Sequence, residues 1–403
     1  MVGSKGRWFG VLTAVSFVAG CAARPRSAPL LPRSAPSLPH YSLALTLGPG
    51  KEWRFEPLVV DLNGDGHLDL VATARLAKSA LQIWLGDGTG SFTPVEPTWT
   101  DIGYAALAAG DINGDGFPDI VAAGHSGAVQ TLLSDGKGGF TESTFRREDG
   151  YVAAQLADLN GDGHLDLILV GYQNAGIEVY FGDGTGNWTL HTTLPETRPG
   201  RSMPGRALVV GDLNHDGHLD LVAAFQRWGV YIYYGDGRGD FSGGPVGFYS
   251  VSQVFESVAL ADVNKDGHPD VVFNGTFFGP DQPNGPDVYL GDGQGGWKAS
   301  SDRLKVTEFP SAGIALGDLD QDGNIDIVAG GNVTGASPSG YGLFWFRGDG
   351  KGGWSLVQDC GLPPQGLSIP YGVRLADLDH DGVPEIILLS GGANGSITIW
   401  KRR

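Results

Sequence analysis

From residue 41 onward the chain alternates short apolar runs with polar clusters rich in Gly, Asp and Asn. Around residue 61 the order is plain: "PLVV" enters "DLNGDGHLDL", "LDLVATA" leaves it, "LQIWLG" follows, and "GDGTGSF" turns the chain again. Such short, β-branched runs bounded by turn residues predict strands, with the Gly-rich turn a hairpin into a fourth strand. The same frequency of Gly and Pro argues against a helical solenoid.

The whole unit repeats. The loop at Asp61 returns as "DINGDGFPDI" from Asp111, "DLNGDGHLDL" from Asp158, "DLNHDGHLDL" from Asp212, "DVNKDGHPDV" from Asp262, "DLDQDGNIDI" from Asp318 and "DLDHDGVPEI" from Asp377. The first aspartates of the seven copies are 50, 47, 54, 50, 56 and 59 residues apart, a period that signals a propeller, solenoid or array. The hairpin recurs from Ser134, Gly182, Gly235, Gly291 and Gly348, so there are six turns for seven loops. The last run, "ITIWKRR", is a third strand with no fourth after it, while "YSLALTL" (41–47) stands spare before the first loop. That spare strand is expected to complete the last sheet and close a ring, which removes exposed sheet edges. The expected fold is therefore all-β: a seven-bladed β-propeller of four-stranded blades over residues 41–403, about 52 residues per blade.

The repeats resemble FG-GAP or VCBS repeats, the units of the integrin α-chain type of seven-bladed propeller, across essentially all of residues 41–403. The resemblance implies that each aspartate loop joins the first and second strands of its blade.

Calcium takes six to eight oxygen ligands, so a loop that holds it must turn tightly while aiming carboxylates and carbonyls inward. In the first loop Asp61, Asn63 and Asp65 stand at positions 1, 3 and 5, Gly66 permits the turn at 6, His67 offers its carbonyl at 7, and Asp69 closes at 9. The second and third sets are Asp111, Asn113, Asp115, Phe117, Asp119 and Asp158, Asn160, Asp162, His164, Asp166. The fourth and fifth are Asp212, Asn214, Asp216, His218, Asp220 and Asp262, Asn264, Asp266, His268, Asp270. The sixth is Asp318, Asp320, Asp322, Asn324, Asp326, and the seventh Asp377, Asp379, Asp381, Val383, Glu385, where the longer closing side chain is expected to distort or weaken the site. Up to seven structural Ca2+ ions are expected. Position 12 is apolar throughout, so these are not EF-hands, and the closing acid at position 9 is what the resemblance implies instead. An array of Asx turns without metal is the alternative, disfavoured because converging carboxylates repel one another. The histidines at position 7 (His67, His164, His218, His268) would lie on separate blades, too far apart to share a transition metal.

Charge sharpens this picture. Residues 1–40 hold five Lys or Arg and no acid, leaving 22 basic and 45 acidic residues in the remainder, a net charge of -23. The loops hold 23 of those carboxylates, so acidity gathers where a cation could sit, and nucleic acid is an unsuitable partner. Residues 1–21, "MVGSKGRWFGVLTAVSFVAGC", have Lys5 and Arg7 before an apolar run too short to span a membrane. The ending Val18-Ala19-Gly20-Cys21 resembles a bacterial lipobox and implies lipidation of Cys21; ordinary signal cleavage near Ala22 or Ala23 stays open. Residues 22–40, rich in Pro, Ser and Ala, are expected to be a flexible tether. The expectation is thus an exported, lipid-anchored monomer of the cell envelope, periplasmic or surface-facing. Cys360 is left without an intrachain disulfide partner and is expected to be a buried thiol.

Recognition is expected on the face opposite the uniform loops, where connections vary in length and carry Arg198, Arg201, Arg206, Arg227, Trp228, Tyr249, Phe255, Phe277, Phe278, Tyr341 and Tyr371. "RGD" at Arg238–Asp240 falls inside a hairpin turn and is explained by turn chemistry, and the glycan-acceptor patterns at Asn187, Asn274, Asn332 and Asn394 are expected to go unused. No nucleophile elbow, phosphate loop, HExxH helix or CxxC pair is present. The expected function is a calcium-stabilised binding or scaffold module for a protein or glycan. Some mushroom lectins resemble such a propeller. A propeller enzyme acting on a polysaccharide or other envelope substrate, its site hidden from linear motifs, is the alternative.

Overall fold

The computed structural model describes residues 39–403 apart from 76–79, 97, 173–175, 195–203, 227, 249–252, 278–284, 302–303, 305–308, 333–339 and 393. Cys21 and the proposed tether up to residue 38 lie outside the described residues, as do Arg198, Arg201, Arg227, Tyr249 and Phe278.

The described strands form seven four-stranded antiparallel sheets. In the first blade these are Glu52–Val60, Asp69–Arg75, Leu81–Gly86 and Phe92–Pro94, in that order from the axis outward. The inner strands that follow are Ala105–Gly110, Tyr151–Ala157, Gly205–Gly211, Gln253–Ala261, Phe309–Gly317 and Pro370–Ala376. Each inner strand contacts the next, and the last contacts the first, so they line a closed ring. This is the expected seven-bladed propeller.

Burial explains the sequence pattern. The second strands, such as "DIVAAG" (Asp119–Gly124) and "EIILLS" (Glu385–Ser390), are buried at every position. A strand flanked by neighbours in its own sheet and covered on both faces by adjacent blades has no solvent side to alternate toward. Outer strands are the reverse; Phe140–Arg146 is largely exposed. The core consists of seven apolar clusters, and each bridges two neighbouring blades. Stability therefore resides in the seams of the ring.

The ring closes as the spare strand predicted. Tyr41–Leu47 completes the last sheet against Ile397–Arg402, in register from Tyr41 opposite Arg402 to Leu47 opposite Ile397. Tyr41 is wholly buried, its ring edge-on to Trp345 of the sixth blade at 6.2 Å. Its N–H donates to Cys360 O at 2.6 Å, and Arg403 N–H donates to His40 O at 2.9 Å. Cys360 is buried, and burial pushes its thiol up, away from the reactive thiolate.

Candidate functional site

Every acidic loop joins the inner to the second strand of its blade, so all seven gather at one end of the ring, beside the Gly-rich hairpins. The closing acid at position 9 is a staple. Asp69, wholly buried, accepts the N–H of Leu62 at 2.8 Å and the N–H of Gly86, at the end of the third strand, also at 2.8 Å. Asp119, Asp166, Asp220, Asp270 and Asp326 repeat both bonds in their own blades. A Cβ at Gly86 would lie 2.2 Å from Leu68 O, so this close approach of strand end to loop requires glycine there. In the last blade Glu385 keeps the loop bond, to Leu378 N–H at 2.8 Å, while its other oxygen lies 4.0 Å from Lys401 Nζ.

The open part of the loop is built from its own polar side chains. Asp61 accepts the N–H groups of Gly64 (2.8 Å) and Gly66 (2.9 Å), Asn63 accepts that of Asp65 (3.1 Å), and Asp65 accepts that of His67 (2.8 Å). Gly66 has φ 87°, the left-handed conformation that position 6 demands. These Asx turns preform the loop and present carboxylate and amide oxygens, which is the donor chemistry calcium prefers. In the fourth loop Asp212 Oδ1 is buried with no hydrogen-bond partner, an acceptor that suits a cation. Asp318, Asp320 and Asp326 bring ligand oxygens within 4.8 Å of one another, as do Asp377, Asp379 and Glu385, a spacing at which each triad can gather around one cation, whether a metal ion or a basic side chain of the chain itself.

Electrostatics mark the closing acids. Burial pushes Asp69, Asp119, Asp166 and Asp220 up to about 6 and Asp270, Asp326 and Glu385 to about 7; the N–H staples oppose the rise, and neighbouring loop acids add to it. Asp166→Ala will leave the buried Leu159 N–H and the half-buried Gly182 N–H unmet, each costing about 1–3 kcal/mol, so a loss of about 2–6 kcal/mol is expected in urea denaturation. Asp162→Ala, at the exposed rim of the same loop, should lose less; equal losses would sink the staple.

Position 4 was not foreseen. Where it is not glycine, His215, Lys265, Gln321 and His380 adopt φ near 60°, a conformation that costs a side-chain-bearing residue about 1 kcal/mol. Three of them visibly reach the next loop: Gln321 donates to Gly382 O at 2.8 Å, His215 Nε2 lies 2.8 Å from His268 Nδ1, and His380 Nε2 lies 3.3 Å from His67 Nδ1. The position-7 histidines thus stay on separate blades, but two are paired with a histidine across a seam.

At the opposite end of the ring, side chains from six blades meet around the axis. Phe55 sits at φ 63° in a register break between Arg54 and Leu58, and reaches the apolar cluster between the third and fourth blades. Its backbone lies so near Gly372 that a Cβ there would be 2.5 Å from Phe55 O. Rings continue from Phe55 to Tyr104 (5.3 Å), His125 (5.0 Å) and Tyr172 (3.9 Å). Arg206 lies 5.9 Å over Tyr172 and 3.3 Å from Glu256 Oε2, and donates to Gln226 Oε1 at 2.6 Å. Arg54 stands 4.5 Å over Tyr371 and donates to its hydroxyl at 3.1 Å. Burial raises the Glu256 carboxyl while Arg206 and Arg54 act against it, and burial lowers His125 with help from Arg75, Arg206 and Arg54. These residues are all half-buried, neither core nor fully solvated.

Four overlapping matches to FG-GAP-like repeats, at residues 61–122, 111–169, 158–223 and 212–273, cover more than half of the chain. The chain belongs to the FG-GAP-like repeat family. Human integrin alpha-6 is 30% identical over 155 residues, 36% of this chain and 13% of the integrin, so the chain spans a small part of that relative. Among solved structures, a lectin of Agrocybe aegerita that recognises non-reducing terminal N-acetylglucosamine matches with a TM-score of 0.52 and 19% identity, over 78% of this chain and 84% of the lectin. The BBS1N chain of a complex with ARL6DN matches at 0.58 and 12%, over 91% and 98%. At those identities both show the fold alone.

Within this FG-GAP propeller the anticipated recognition residues divide. Arg206 and Tyr371 stand at the axial mouth. Phe255 is core, buried against Phe273 at 5.5 Å. Asp240 of "RGD" is held in its turn, donating its N–H to Asp236 (3.2 Å) and lying 3.0 Å from His191 Nε2. Arg54, Phe55, Tyr104, His125, Tyr172 and Glu256 were not picked out together by sequence; they lie in or beside strands of four blades and share no spacing.

Proposed function

We propose that this FG-GAP propeller is a recognition module whose acidic end is braced by calcium and whose opposite, axial mouth binds a glycan. The observation that carries this is the mouth itself: Phe55, Tyr104, His125 and Tyr172 beside the Arg206–Glu256 and Arg54–Tyr371 contacts. Aromatic faces with paired charged groups offer a sugar both a stacking surface and hydrogen-bond partners, on a rigid frame. The left-handed Phe55 supports the reading, since strain in a bulky residue persists where function retains it. The lectin that shares the fold, and that recognises terminal N-acetylglucosamine, supports the reading. Lipidation at Cys21, with residues 22–40 as tether, would present the mouth from a bacterial membrane of the cell envelope. The proteins it resembles include an integrin and a lectin, and no catalytic role is assigned.

The test is a glycan array, paired with pulldown from cell-envelope fractions, using the chain from residue 22 and its Tyr172→Ala and Arg206→Ala variants. Discrete saccharide signals that drop at least tenfold in both variants, at unchanged melting temperature, are expected. Saccharide binding that survives both substitutions would move the site away from the mouth. A protein partner without any glycan signal would replace the ligand class.

A further inference from the structure

Two blades depart from the other five in the same two places. Position 3 of the loop is Asn in blades one to five but Asp320 and Asp379 in blades six and seven. The residue next to the end of the third strand is apolar or aromatic in the first five blades, Leu85 in the first, but Arg347 and Lys401 in the last two. The strand registers make these positions equivalent, since Trp84, Phe346 and Trp400 pair with Leu70, Ile327 and Ile386. The two changes occur together in both blades and in none of the others.

The atoms explain the coupling. In blades one to five the Asn amide donates to Oδ2 of the aspartate at position 5, at 2.8–3.0 Å. Replacing Asn by Asp removes that donor and adds a charge. In blade six Arg347 Nη2 takes over the bond to Asp322 Oδ2 at 2.6 Å, while its Nε lies 2.5 Å from Asp320 Oδ2. In blade seven Lys401 Nζ pairs with Asp379, and lies 3.5 Å from Asp381 Oδ2 and 4.0 Å from Glu385 Oε1. The ammonium therefore lies within ion-pair distance of the acids at positions 3, 5 and 9, three of the five positions a calcium ion would have to gather at 2.3–2.6 Å.

We propose that blades six and seven carry their own cation in place of calcium, so that the chain takes five calcium ions and not seven. This rests on the reading that the loops hold calcium. It also gives the division a purpose: blade seven is the blade that closes the ring, and Lys401 lies on its closing strand pair, so the closure stays braced when calcium is withdrawn.

Calcium stoichiometry, by native mass spectrometry and titration of the chelator-stripped chain, tests it. Five ions are expected in the wild type, and six in the double variant Asp379→Asn/Lys401→Leu, which rebuilds the pair of the first blade without changing net charge. Arg347→Leu with Asp320→Asn should likewise give six. Seven ions in the wild type would overturn the proposal and leave the calcium reading intact, whereas none would overturn that reading itself. Five in the wild type and still five in both folded double variants would also overturn it, because the resident cation would then not be what excludes the metal.

Discussion

A chain lacking residues 1–47 will lose the single cooperative unfolding transition of the intact protein and associate through its last blade. Three losses act together. Tyr41, fully buried against Trp345, is an aromatic anchor whose removal alone costs about 3–5 kcal/mol. The backbone ladder from Tyr41–Arg402 to Leu47–Ile397 disappears with it. The strand Ile397–Arg402 then becomes an open edge, a template for pairing with other chains. Because each blade is stabilised through its seams, opening one seam also frees both neighbours to separate. Circular dichroism melting and light scattering will show a drop of at least 10 °C, or no sharp transition, with oligomers that grow with concentration. Addition of a peptide spanning residues 39–48 should partly restore the monomer. A monomeric truncation melting within 3 °C of the intact chain would show that the clasp is dispensable.

Chelation of calcium should lower the melting temperature by roughly 3–9 °C. For sites of about 0.1–1 mM affinity, 1 mM calcium stabilises each by roughly 0.4–1.4 kcal/mol, so five distant sites together give about 2–7 kcal/mol. A propeller of this size has an unfolding entropy near 0.76 kcal/mol per degree, which sets the range. The sign of the pH dependence follows from the closing acids. Folded, they hold protons up to about pH 6 or 7, but unfolded aspartates release them near 3.8, so between those values the folded state binds more protons. In chelator, stability is therefore greatest at the acid end of that window and falls as pH rises from 5 to 7. His125, lowered by burial, opposes this as a single group. Calcium favours the ionised acids, so its presence should flatten or reverse the slope. Melting curves from pH 5 to 7, with and without chelator, check both claims; identical slopes would mean that the closing acids do not meet the ion.

Much of this was legible because repetition makes a local signal count seven times. One loop of the form Asp-x-Asn-x-Asp-Gly is weak evidence; seven in step with a hairpin and a spare strand at the start predict a closed ring. The staple was half visible: the acid at position 9 was read as a ligand, and its bonds to Leu62 and Gly86 emerge only when the third strand ends beside the loop. Arg347 could have been found by aligning the six hairpins and reading the residue just before each, where five side chains are apolar or aromatic and one is cationic; Lys401, in the blade without a hairpin, emerges only from the register of its third strand. The mouth had no such handle. Tyr104, Tyr172 and Arg206 flank strands of different blades, and only the curvature of the ring brings them together. Phe55 would have been read as an ordinary strand residue, because nothing in "WRFEPLVV" announces a left-handed backbone.

The hydrogen bond from Arg403 N–H to His40 O sets the first and last residues of the propeller side by side on its rim. A short linker from 403 back to 39 would make the polypeptide circular without disturbing a blade, and a new start could then be cut at any of the exposed hairpins, such as Thr89–Ser91. What the sequence encodes is thus a cyclic order of blades, in which the position of the chain's beginning is a matter of bookkeeping and the neighbour of each blade is not.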